Sequence, residues 1–186
     1  MCGIFGIISN IETNIDLKKV CNFVNQIQIH RGPDSSGFFI DKNIALSHTR
    51  LSIIDIKKGN QPMTDSRSGL TIVFNGEIVN YKNLKENLNK QYDSYLTDHS
   101  DTEVILKLYE LYEDKCVEYL QGMFSFAIWD SNKKKLFIGR DHLGIKPLYY
   151  CDTNYGFIFA SEIKTICQIK DKIFKIENQI DENLLN

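Results

Sequence analysis

The sequence has no cluster of cysteines. Its five, Cys2, Cys21, Cys116, Cys151 and Cys167, are scattered and odd in number, with no Cys-x-x-Cys pair and no cysteine–histidine group at metal-ligand spacing. Neither a disulfide framework nor a zinc site is therefore indicated, and a reducing compartment, the cytoplasm, fits this usage. No apolar run comes near the ~20 residues that span a bilayer, and the N-terminus lacks the basic leader and apolar stretch of a signal peptide. There is no basic excess either: 22 Lys and Arg stand against 24 Asp and Glu, a formal charge of -2, so nucleic acid is not suggested. No internal repeat occurs, and no glycine loop of the phosphate-binding kind.

What is present has the composition of a single soluble domain, 186 residues with 42% apolar and 25% charged side chains. "GIFGIIS" reads as a buried strand that starts almost at the terminus, and "DLKKVCNFVNQIQIH" as a helix capped by Asp16. "RGPDSSG" reads as a loop, followed by strand candidates "FFID", "IALSHT" and "LSIIDI". "LTIVFNGEI" is a strong strand signal that the Asn75-Gly76 dipeptide is expected to end in a turn. "NLKENLNKQ" and "DTEVILKLYELYE" read as helices, the second with Asp101 and Glu103 in its first turn, where carboxylates suit the dipole. "MFSFAIWD", "KKLFIGRD", "PLYYCD" and "GFIFASE" then suggest antiparallel meanders. Strand blocks interleaved with helical pairs, without βα alternation, give an α+β protein of stacked sheets covered by helices. The lysine-rich end, residues 168–186, reads as the start of a linker that stops as "IDENLLN" begins to resemble a capped helix, so an excised domain is expected.

The chemistry begins at "MCGIF". Removal of Met1 would leave Cys2 with a free amine and a thiol on one residue, a nucleophile with its own base, since an α-amine has a pKa near ~7.7–8.0. A small buried cysteine opening a strand is the plain alternative. Asn75 and the Gly76 N–H could hold an oxyanion, or simply form a turn. Arg50, between two apolar segments, could grip a carboxylate or make a structural ion pair. Glu77 and Asp101 could bind an ammonium, although a first-turn carboxylate is usually a cap. His30, His48, His99 and His142 show no ligand spacing.

Taken together, "MCGIFGI", "HRGPDSSG", "HTRLSIID", "NGEIVNY", "SDTEVI" and "GRDHLGIKPLYY" resemble the class II glutamine amidotransferases, which have the N-terminal-nucleophile hydrolase fold. The likeness runs from Cys2 to about Ile166. "RGPDSSG", "RLSIID", "QPM", "NGEI", "GIKPLYY" and "FASEIK" make it most similar to the glutaminase domain of glutamine-hydrolysing asparagine synthetase.

The resemblance implies a four-layer αββα sandwich of two mainly antiparallel sheets, with residues 1–167 as the amidotransferase domain. It implies that Cys2 attacks the side-chain amide of L-glutamine to form a thioester, with Asn75 and Gly76 as the oxyanion pair. Arg50 would bind the α-carboxylate, Glu77 and Asp101 the α-ammonium. The main chain at Ile53 and Ile54 would line the pocket, and Arg31 would brace the loop over the thiol. No cofactor or metal is implied in this domain. ATP and magnesium belong to a C-terminal synthetase domain, the implied partner and acceptor site for ammonia, and the resemblance also admits a homodimer. Val79, Thr102 and His142 depart from the family's usual residues, at no catalytic position. A related enzyme with another ammonia acceptor and a non-catalytic docking or regulatory module are the alternatives; a hexosamine-forming relative would carry loops unlike "RGPDSSG" and "HTRLSIIDI".

Overall fold

The computed structural model describes residues 1–10, 15–52, 59–88, 97 and 100–176. Ile53, Ile54, most of "LSIIDI", His99 and the "IDENLLN" segment lie outside the described residues.

Strand β1 (Gly3–Ser9) is followed by α1 (Leu17–Ile27), whose first turn is closed by the Asp16 carboxylate accepting from the Lys19 N–H at 3.0 Å. Strands β2 (Ser35–Asp41), β3 (Ile44–Arg50), β4 (Met63–Asp65) and β5 (Leu70–Ile78) come next, then helices α2 (Tyr81–Leu88) and α3 (Asp101–Tyr112). A 3-10 turn at Glu113–Tyr119 leads into β6 (Gly122–Asp130), β7 (Lys135–Arg140), β8 (Tyr149–Thr153), β9 (Gly156–Ala160) and α4 (Ile163–Lys172). One sheet has the order β2-β3-β1-β9-β8, the other β4-β5-β6-β7, and every neighbouring strand pair within them is antiparallel.

The alternation of side chains along a strand divides the apolar residues between two faces. Ile4, Ile44, Leu46 and Phe159 of the first sheet meet Val73, Ala127 and Trp129 of the second in the middle layer. Their neighbours Phe5, Ile7, Ile158 and Ala160 face outward onto Val20 and Val24 of α1 and Ile166 and Ile169 of α4. On the far side Ile72, Phe74, Phe126 and Ile128 pack on Val104, Ile105 and Leu108 of α3. Helix, sheet, sheet, helix: the four-layer αββα sandwich is the architecture.

Two expectations are corrected. The loop at "RGPDSSG" is shorter than read, because β2 already begins at Ser35, paired with Arg50. The Asn75-Gly76 pair makes no turn: β5 runs through it, with Asn75 opposite Ser125 and Gly76 opposite Phe124. Glycine is required there by crowding, since a Cβ on Gly76 would stand 2.3 Å from the Met123 carbonyl oxygen and 2.7 Å from the Phe124 Cα. At the C-terminal end, α4 and the residues just after it bury Ile169 and Phe174 in the outer layer.

Candidate active site

The register of β1 against β3 builds the site. Gly3 faces Thr49, so Cys2, one residue before the strand, is carried to the end of β3 beside Arg50 and Leu51. The Leu51 N–H donates to the Cys2 Sγ at 3.4 Å, the thiol lies 3.6 Å from the Leu51 carbonyl oxygen, and Arg31 Nε donates to the Cys2 carbonyl at 2.9 Å. A cleft of about 320 Å³ opens here, walled by Met1, Cys2, Arg50, Asn75, Gly76 and Glu77 among others.

Five of the residues singled out in the sequence thus share one cleft: Cys2, Arg50, Asn75, Gly76 and Glu77. Asp101 stands just behind its wall, between Ser100 and Thr102, which do line it. Its Oδ2 accepts from the Ile78 N–H at 3.1 Å. Arg31 is also behind the wall; its Nη1 pairs with Glu162 Oε1 at 3.1 Å, so its contact is with the backbone of Cys2 itself. Burial pushes the Glu162 carboxyl up, but hydrogen bonds from His30, Lys164 and Arg31 outweigh it and hold the group at about 2.

The edge of β5 has a notable pattern. Strand β4 ends at Met63, opposite Ile72, so beyond that point the β4 side of β5 has no neighbouring strand among the described residues. Alternate residues of an antiparallel strand point their N–H groups to the same side, and here those are Phe74, Gly76 and Ile78. Gln61 Oε1 takes the Phe74 N–H at 2.6 Å and Asp101 takes that of Ile78. The Gly76 amide between them faces the cleft. Beside it, the buried Asn75 Nδ2 has no hydrogen-bond partner among the described residues. Leaving a buried donor unmatched costs ~1–3 kcal/mol, which marks a place where an acceptor is expected to arrive.

The electrostatics suit a nucleophile that needs a base. Burial pushes the Cys2 thiol up, and the Leu51 N–H, the terminal ammonium, Arg50 and Arg31 offset this only in part. Burial likewise pushes the Asp101 carboxyl up, opposed by N–H donors including that of Ile78, with the charge of Glu77 adding to the rise. Among the described residues no three His, Cys, Asp or Glu side chains are arranged to hold a metal ion.

Sequence reading missed Gln61, Met123 and Lys146 in the wall and Glu162 behind it. Three of them had a signal only as parts of motifs, Gln61 in "QPM", Lys146 in "GIKPLYY" and Glu162 in "FASEIK".

His48 is buried between the sheets, 3.1 Å from the Phe74 carbonyl oxygen through Nε2. Burial lowers it from 6.5 to about 4, with Arg50 adding to the fall. The folded chain keeps this ring neutral while the unfolded chain protonates it below about 6.5. Its contribution is therefore full above that pH and is lost as pH falls towards about 4, an effect of roughly 3 kcal/mol. Urea unfolding at pH 7 and pH 4.5 is expected to show this loss, and His48→Gln to flatten it.

Residues 1–186 match the sequence profile of the glutamine amidotransferase domain. The chain belongs to that family. Asparagine synthetase [glutamine-hydrolyzing] 1 of Bacillus subtilis is 41% identical over 175 residues, covering 93% of this chain and 28% of its own length. Asparagine synthetase B [glutamine-hydrolyzing] of Escherichia coli is 39% identical over 170 residues, with 91% and 30% covered. An amidase of Gibberella zeae, chry2, is 36% identical over 162 residues, with 86% and 22% covered. This amidotransferase domain therefore spans under a third of the length of these relatives. The solved glutamine phosphoribosylpyrophosphate amidotransferase from B. subtilis, in complex with ADP and GMP, superposes with a TM-score of 0.74 over 89% of this chain and 43% of that one. At 21% identity that likeness shows the fold alone, the sandwich of two antiparallel sheets between helices. No helix among the described residues is long and apolar enough to cross a membrane.

Proposed function

We propose that this amidotransferase domain hydrolyses L-glutamine to glutamate and ammonia through a thioester on Cys2. The observation that carries the reading is the Asn75 Nδ2, buried without a hydrogen-bond partner among the described residues and set in the same cleft as the Cys2 thiol, the Arg50 guanidinium and the Gly76 amide.

With Met1 removed, the Cys2 amine takes the thiol proton and the sulfur attacks the glutamine side-chain carbonyl carbon. Charge gathers on the carbonyl oxygen, where Asn75 Nδ2 and the Gly76 N–H donate to it. Collapse breaks the C–N bond, the amine returns its proton to the leaving nitrogen, and ammonia departs. Water, activated by the same amine, then cleaves the thioester to release glutamate. Arg50 binds the α-carboxylate; Glu77, with Asp101 behind it, supplies the negative charge for the α-ammonium.

The similarity to asparagine synthetases supports a cytoplasmic protein whose ammonia passes to an ATP-activated aspartate on a C-terminal synthetase domain, where ATP and magnesium act. A second reading, another ammonia acceptor on the same glutaminase chemistry, is supported by the likeness to the Gibberella amidase.

The α-carboxylate keeps its charge throughout, so Arg50 contributes equally to substrate and transition state. Arg50→Ala is expected to raise KM for glutamine ~10–100-fold, in the range for lost charge-assisted hydrogen bonds, with little change in kcat. Steady-state ammonia release checks this; a fall in kcat at unchanged KM would remove Arg50 from the pocket.

A further inference from the structure

We infer that the adjacent residues Asn60 and Gln61 are two separate positioning residues, Asn60 for the substrate clamp and Gln61 for the oxyanion strand. The inference deepens the glutaminase reading and rests on it.

Asn60 Oδ1 accepts from Arg50 Nη1 at 3.0 Å. Arg50 is buried at the end of β3, where its guanidinium must present a fixed face to a carboxylate. An acceptor on one of its nitrogens fixes the plane of the fork, which is what bidentate recognition requires.

Gln61 faces the other way. Its Oε1 holds the Phe74 N–H at 2.6 Å and its Nε2 lies 3.4 Å from Thr102 Oγ1, on the first turn of α3. The side-chain oxygen replaces the strand that β4 no longer provides, where Pro62 follows Gln61 and has no N–H of its own. The backbone of Gln61 is pressed against β2, where a Cβ on Gly37 would stand 2.6 Å from its carbonyl oxygen. Gln61 is thus held by β2, β5 and α3, and it fixes the Val73–Phe74 peptide, one residue short of Asn75. With Asp101 on the Ile78 N–H, it brackets the Gly76 amide and keeps that stretch of β5 straight. Gln61 lines the cleft with its side-chain oxygen engaged by β5, so its role is to hold the strand that carries Asn75 and Gly76.

The two neighbours then have opposite kinetic signatures. Asn60→Ala loosens a group that binds ground and transition states alike, so KM is expected to rise ~10-fold with kcat within ~2-fold. Gln61→Leu loosens donors that act on the developing oxyanion, so kcat is expected to fall ~10-fold or more with KM within ~2-fold. Gln61→Glu, which keeps an acceptor for the Phe74 N–H, is expected to recover most of that loss.

The experiment is glutamate release from L-glutamine by the Met1-processed chain and these three variants, together with hydrogen exchange at the Phe74 amide. Protection of Phe74 that is lost in Gln61→Leu and kept in Gln61→Glu, alongside the kinetic split, supports the inference. Parallel losses of kcat and KM in both single variants, or an unchanged kcat in Gln61→Leu, would overturn it while leaving the glutaminase reading standing. A wild-type chain inert toward glutamine would overturn that reading and this inference with it, whatever the Phe74 protection.

Discussion

A chain that keeps Met1 is expected to hydrolyse glutamine ~10²–10⁴-fold more slowly than the processed chain, the usual contribution of a general base. The thiol is not poised as a thiolate: burial raises it, and the surrounding cations offset this only in part. A proton acceptor is therefore necessary. Among the described histidines, His48 is buried at the Phe74 carbonyl, His30 is engaged with Glu162 and the Ile27 carbonyl, and His142 is exposed and not in the cleft wall. The Cys2 amine is the nearest alternative, being on the same residue, and an amide bond to Met1 removes its basicity. Met1 also occupies part of the cleft wall. Intact-mass analysis sorts the two forms, and their steady-state kcat values compare directly. Equal rates would place the base elsewhere.

Asn75→Ala is expected to lower kcat ~10²–10³-fold, about 2.7–4 kcal/mol of transition-state stabilisation, with KM for glutamine changed less than ~3-fold. An oxyanion donor acts mainly on charge that develops during the reaction, which is why the loss belongs in kcat. Stability supplies the control. Asn75 Nδ2 has no partner among the described residues, so its removal sacrifices no donated hydrogen bond from that atom to them. The variant is expected to unfold within ~1 kcal/mol of wild type while losing most of its turnover. A variant that lost stability and kept kcat would make the Asn75 amide a structural group.

Where the fold was legible in the sequence, periodicity carried it. The run Gly3–Ser9, the Asp16-capped helix and the four C-terminal strand signals correspond to β1, α1, β6, β7, β8 and β9. Asn75-Gly76 was misread because a dipeptide favoured in hairpins carries no information about crowding across strands, and crowding against Met123 and Phe124 is what requires the glycine. Helix α4 was missed because lysines dominate its surface, although Ile166 and Ile169 are spaced for one buried face. Five residues of the cleft were legible, Cys2, Arg50, Asn75, Gly76 and Glu77, because they are of telling chemical type in short motifs. Gln61 and Glu162 were not, because their work is done through hydrogen bonds to distant backbone and side-chain groups, Phe74 in one case and Arg31 in the other. Nothing local marks such contacts.

The central claim is that Cys2 is a terminal nucleophile acting on glutamine. Glutamate formation by the processed chain, measured with L-glutamine and with L-asparagine, beside Cys2→Ala, tests it most directly. The account predicts release from L-glutamine only, abolished in Cys2→Ala. Release that survives in Cys2→Ala, or none from a correctly processed chain, would contradict it.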